Sequence, residues 1–109
     1  MLIQINGKLM PQSEAKISIL STAFLYGQGV FETLRTYGNK QIFQPKLHLK
    51  RLAASAKTLQ IKLPPLKTIE QNLQTLVQKS PHNLQRLKII AIPEHIIITT
   101  IELTEDPKL

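Results

Sequence analysis

Two consecutive prolines, Pro64-Pro65, divide two stretches of helical periodicity, and this arrangement restricts the fold more than any other feature of the chain. A helix cannot run through them, because proline lacks the amide donor and disfavours helical backbone in the residue before it. Upstream, Pro45 suits a first helical turn, and Leu49, Leu52, Ala53, Ala56 and Leu59 recur on one face at i, i+3, i+4, i+7 and i+10. Downstream, Ile69, Leu73, Leu76 and Val77 form a second apolar stripe, with Thr68 and Gln71 as a candidate capping box and Ser80-Pro81-His82-Asn83 as the break. A helical pair is therefore expected in the middle of the chain.

Both flanks read as strands. Leu2, Ile3 and Ile5 lead into Asn6-Gly7, a strong type I′ turn signal, and a return run carries Leu9 and Ile17, with Pro11 marking it as an edge or bulged strand. Residues 21–29 hold two glycines and no steady period, which predicts a loop. Val30 to Tyr37 is dense in β-branched and aromatic residues, Gly38-Asn39-Lys40 turns it, and Gln41-Ile42-Phe43 returns. Leu87 to Ile92 and Ile96 to Leu103 predict two core strands joined at Pro93-Glu94-His95. The order ββββααββ gives an α+β fold, an antiparallel sheet of two N-terminal hairpins and two late strands packed against a helical pair. No repeat or linker divides residues 1–109, so one domain is expected.

There is no cysteine, which excludes disulfide frameworks and cysteine metal clusters. The first ten residues lack the pattern of a secretory signal and no apolar run approaches a membrane span, so a cytoplasmic protein without a membrane partner is expected. The net charge of +7 is uneven. Every Lys and Arg except Lys108 lies before Pro93, against Glu14, Glu32 and Glu70, whereas Glu94, Glu102, Glu105 and Asp106 crowd the end. A basic body attracts anions without choosing among nucleic acid, metabolite and phosphate cofactor. Only 5% of residues are aromatic and the basic residues are dispersed, which argues against nucleic acid as a partner.

Few side chains suggest chemistry by themselves. Gly27 and Gly29 precede a strand, where a plain turn is the favoured interpretation, since the dinucleotide fingerprint precedes a helix. Alternation places Glu32 and Leu34 on one face and Phe31, Thr33 and Arg35 on the other. A carboxylate beside Leu34 needs a partner, and solvent is the favoured one. Arg51 borders the apolar stripe of the first helix and, with its planar fork, could hold phosphate oxygens, although an ordinary surface arginine is the commoner case. His48, three residues earlier, could orient or contact the same anion. His82 and His95 have no partner at ligand spacing, so no metal site is expected.

The run Phe24-Leu25-Tyr26-Gly27-Gln28-Gly29-Val30-Phe31-Glu32-Thr33-Leu34-Arg35, followed by Gly38-Asn39-Lys40 and by His48-Leu49-Lys50-Arg51-Leu52, resembles the N-terminal signature of fold-type IV pyridoxal-phosphate enzymes, the class IV aminotransferases and aminodeoxychorismate lyases. The resemblance extends over nearly the whole chain, as that family's small N-terminal domain. It implies pyridoxal 5'-phosphate as cofactor, an amino acid or aminodeoxychorismate as substrate, Arg51 as the cofactor-phosphate ligand, and Phe31 and Arg86 as substrate contacts, with Glu32 and His48 supporting them. It also implies that the catalytic lysine belongs to a large domain beyond Leu109, so that no catalytic residue is expected in this chain and it should be inactive alone. Gln28 stands where the signature most often has aspartate, and Ile92-Pro93-Glu94-His95 stands where an Arg-Gly pair is common. A face made to pack on a larger partner favours self-association, so a homo-oligomer is expected. The competing expectations are a standalone basic module for an anion or nucleic acid, and a structural partner of a second chain.

Overall fold

The computed structural model describes residues 1–104, so Glu105 and Asp106 of the acidic end lie outside the described residues. Six strands form one sheet: β1 (Leu2–Ile5), β2 (Lys8–Pro11), β3 (Val30–Tyr37), β4 (Gln41–Ile42), β5 (Gln85–Ala91) and β6 (Ile96–Glu102). Their spatial order is β2-β1-β6-β5-β3-β4, and every pairing is antiparallel. Three α-helices accompany it: α1 (Thr22–Tyr26), α2 (Pro45–Thr58) and α3 (Leu66–Lys79). The expected α+β architecture is present, and the two late strands occupy the sheet's centre.

Local chemistry accounts for the joints. Asn6 and Gly7 both take positive φ, 52° and 82°, which is the primed turn that matches the twist of the β1–β2 hairpin. Pro11 ends β2 at the sheet's outer edge, where its missing donor costs no ladder bond. The expected continuation of that strand to Ile17 is not formed; the chain instead turns through Gln12–Glu14. Lys40, at φ 58°, sends its ammonium to the carbonyls of Gln78 (3.2 Å) and Ser80 (2.6 Å), so the β3–β4 turn caps the C-terminal end of α3.

Helices α2 and α3 cover one face of the sheet. Leu52, Ile69, Leu73, Leu76 and Val77 are fully buried against Leu34, Leu87, Ile89 and Ile98. Each large side chain removed from water in this layer contributes about 1.5–3 kcal/mol. The helical stripes match the sequence pattern except at two points. Leu59 sits just past the end of α2 and is exposed, while Ile61 turns back into the core. The Thr68–Gln71 capping box is absent, because α3 begins two residues earlier at Leu66 and the Thr68 amide is already bonded to the Pro65 carbonyl.

Beneath the C-terminal end of α3 lies a buried polar knot. Gln85 donates through Nε2 to the carbonyls of Val77 (3.1 Å) and His82 (2.6 Å), and its Oε1 accepts from the Thr100 hydroxyl at 2.6 Å. The Thr36 hydroxyl donates to the Asn83 carbonyl and accepts the Gln85 amide. These bonds tie β3, β5 and β6 to the segment that leaves α3.

Candidate functional site

Register divides the residues singled out from the sequence between two faces of β3. Glu32 pairs with Ile89 and Leu34 with Leu87, on the face covered by the helices. Phe31 pairs with Ile90, Thr33 with Lys88 and Arg35 with Arg86, on the opposite face.

On the covered face, Pro45 at the first turn starts α2, and a rise of three residues carries the helix from His48 to Arg51 on the side toward β3. Both meet Glu32. His48 Nδ1 lies 2.9 Å from Glu32 Oε1, and Arg51 Nε lies 3.8 Å from Oε2. The Glu32 side chain is only 10% exposed, so solvent is not its partner, contrary to the expectation from its residue type alone. A buried carboxylate is stabilised by paired donors far more than by scarce water, and two such donors were within one helical turn. Because an ionised carboxylate only accepts, Nδ1–H of His48 donates to it, which fixes the neutral ring's tautomer. Arg51 is different: its side chain is 65% exposed and approaches Glu32 through Nε, and its guanidinium makes no hydrogen bond among the described residues. An arginine held at one end and open at its fork is suited to an oxyanion.

On the open face, the Phe31 ring is 60% exposed with the Lys88 ammonium 4.6 Å from its centroid. Arg86 sits two rungs along, directly across from Arg35, whose guanidinium lies 4.4 Å over the Tyr37 ring. Like charges placed opposite each other across a sheet are unfavourable unless an anion joins them. Lys88, the cation nearest Phe31, was not assigned a binding role from sequence. The signal was there in the alternation of Arg86 and Lys88 on one strand face.

The two groups share one edge. Strand β4 pairs only with Thr36 and Tyr37, and the Phe43 amide donates to the Arg35 carbonyl, so among the described residues Val30 to Leu34 have no strand neighbour on that side. A ligand lying across this edge can reach groups from both faces. The segment leading into it is firmly placed. Residues 21–29, expected as a loop, contain helix α1, where the Ser21 hydroxyl accepts the Phe24 amide and Gly27, at φ 65°, closes the helix in the left-handed region. Five residues are too few for a helical period to show in sequence. A Cβ on Gly29 would lie 3.1 Å from Ile92 Cγ2 and 3.4 Å from the Ala91 carbonyl, so glycine lets the chain pass tightly against β5. Glu94 accepts the Thr22 amide at 2.9 Å, and this backbone bond holds its carboxyl below the ordinary glutamate value. Around this segment, Ile19, Leu20, Phe24, Leu25 and Tyr26 are all more than half exposed.

Comparison with known proteins accords with this geometry. The family model described as amino-transferase class IV matches residues 29–105. A Methanocaldococcus jannaschii protein named as a branched-chain-amino-acid aminotransferase is 42% identical over 78 residues, 70% of this chain and 27% of its own length. The aminodeoxychorismate lyase of Bacillus subtilis is 42% identical over 60 residues, 55% of this chain and 20% of its own. Among solved structures, a T.th. branched-chain amino acid aminotransferase with pyridoxamine 5'-phosphate superimposes with a TM-score of 0.89 at 29% identity, covering 97% of this chain and 41% of that one. The chain thus spans about a quarter or less of the length of these curated relatives. With the family model matched over more than half of its residues, 29–105, the chain belongs to the class IV aminotransferase family.

Proposed function

We propose that residues 1–109 are the small N-terminal domain of a pyridoxal-phosphate-dependent aminotransferase or aminodeoxychorismate lyase, and that they supply binding groups rather than the reacting amine. The observation that carries this is the open fork of Arg51 on a buried carboxylate at an uncovered strand edge. Its donor set fits a phosphate ester: a permanent charge, Nη donors without a protein partner among the described residues, and an Nε end 3.8 Å from Glu32. When bound, pyridoxal phosphate supplies an electron sink for charge developing at the carbon that bears the amino group. Arg51 holds the phosphate, and Glu32 and His48 support Arg51. Phe31 forms an apolar wall on the open face, and Lys88 beside it, with Arg86 and Arg35 farther along, attracts the carboxylate of an amino acid or of aminodeoxychorismate. The lysine that carries the cofactor belongs, on this proposal, to the larger part of the enzyme. Among the described residues no helix is long and apolar enough to cross a membrane, and a cytoplasmic setting suits the metabolic role proposed.

The test compares pyridoxal phosphate with pyridoxal by fluorescence titration. Arg51→Gln should weaken pyridoxal phosphate about 10- to 100-fold, the loss expected for hydrogen bonds to a charged group, and leave pyridoxal unchanged. Equal affinity of wild type and variant for the phosphate form would remove Arg51 from the site. The exposed cluster of Ile19, Leu20, Phe24, Leu25 and Tyr26 also supports self-association of the chain. Light scattering after gel filtration is expected to give at least a dimer mass, and a monomer at high micromolar concentration would sink that part.

A further inference from the structure

Glu32 touches two side chains that differ in one respect: Arg51 is always charged, and His48 is charged only when protonated. With His48 neutral, the carboxylate and the guanidinium cancel, and the cluster carries no net charge. With His48 protonated, it carries one positive charge. We propose that the Glu32, His48 and Arg51 cluster is a charge-switched anion site, in which Glu32 positions both partners and the protonation of His48 sets how tightly a phosphate or sulfate group is held at Arg51. The inference rests on Arg51 being the anion ligand and adds the control that acts on it.

The geometry makes His48 a poor bystander. Its Nδ1 proton is committed to Glu32, so the proton gained on acidification goes to Nε2, and its side chain is 19% exposed, enough to exchange that proton with water. The carboxylate stands between the imidazole and the guanidinium as the common partner of both, so a charge gained on His48 offsets the field that Glu32 otherwise exerts on an incoming anion.

Other charged groups on the elements packed here are differently occupied. From α3, Glu70 lies 3.8 Å from Lys46 of α2, and Lys67 and Lys79 are the other charged residues of that helix. On β3 itself, Arg35 stacks on Tyr37 on the opposite face. On α2, Lys50 and Lys57 are exposed. His48 is therefore the member of this cluster whose charge depends on whether its ring is protonated.

Sulfate is the probe of choice, since it stays a dianion over the pH range of the test whereas phosphate titrates. Sulfate affinity of the 109-residue chain, followed by NMR shift perturbation, should rise about three- to tenfold from about pH 8 to about pH 5, the size expected for one added charge at a partly exposed site. His48→Gln, which retains a donor for Glu32, should flatten that profile while Arg51-dependent binding persists. By reciprocity, saturating sulfate must raise the pH at which the His48 ring protons titrate in the unmodified protein, a readout that needs no variant. A flat wild-type profile, a slope that survives in His48→Gln, or a His48 titration indifferent to sulfate would each overturn the switch while leaving Arg51 as the anion ligand. Sulfate binding unaffected by Arg51→Gln would instead remove the anion site itself.

Discussion

Gln85→Leu is expected to lower the unfolding free energy by about 3 kcal/mol. Gln85 is fully buried and its amide makes three hydrogen bonds, two to carbonyls of the segment leaving α3 and one from Thr100. Leucine preserves the volume closely enough that no large cavity opens, so the loss isolates the polar term. Val77 and His82 would each keep a carbonyl without its donor, and the Thr100 hydroxyl would lose its acceptor, at a cost of about 1 kcal/mol or more for each of the buried Val77 and Thr100 groups and less at the part-buried His82 carbonyl. In a chain of this size that corresponds to a fall in melting temperature of more than about 10 °C. Urea denaturation followed by circular dichroism gives the number. Adding Thr100→Val to the leucine variant should recover part of it, because the orphaned hydroxyl disappears. A loss below about 1 kcal/mol would show that water enters the knot and that it contributes little.

That knot illustrates what sequence alone conveys. The helical pair, the central late strands and the edge position of Pro11 follow from spacing and from proline chemistry, because these are periodic or local properties. Gln85 and Thr36 gave no signal, since a buried polar residue is recognisable only by partners that lie far along the chain. The same limit applied to Glu32. Alternation placed it beside Leu34, as the structure does, yet its partners sit 16 and 19 positions later and are brought to it by the packing of α2 on β3. Arg51 and His48 were raised as anion contacts by residue type and spacing, but there an ordinary surface arginine was favoured and only the family signature selected them. Lys88 was passed over as an anion contact because its proximity to Phe31 depends on the pairing register of β3 with β5, which no local pattern specifies. Helix α1 and the absent capping box show the complementary error: five residues are too short to reveal a period, and a plausible cap loses when the helix starts earlier after a proline.

His48→Leu should cost about 2 kcal/mol at neutral pH, and the cost should largely vanish when Glu32→Leu is added. The reasoning turns on which group is left behind. Glu32 is 10% exposed and accepts His48 Nδ1–H at 2.9 Å, whereas Arg51 reaches it only at 3.8 Å with most of its own side chain in solvent. Removing the imidazole donor therefore leaves a nearly buried carboxylate with one loose partner, and an uncompensated buried charge is costlier than the pair was favourable. Replacing both members by apolar residues removes the charge along with the need for a donor, and the site lies beside Leu34 and the apolar stripe of α2, where leucine is at home. The cycle of wild type, two single variants and the double variant should thus show a coupling of at least about 1 kcal/mol by chemical denaturation, against simple additivity if the contact were incidental. Function and stability should then part company. The double variant regains its fold and keeps Arg51, so it should still bind sulfate, but with an affinity indifferent to pH between about 5 and 8. A double variant that recovers stability and also retains the acid-tightened profile would mean that some other group supplies the switch, and that Glu32 and His48 serve the fold alone.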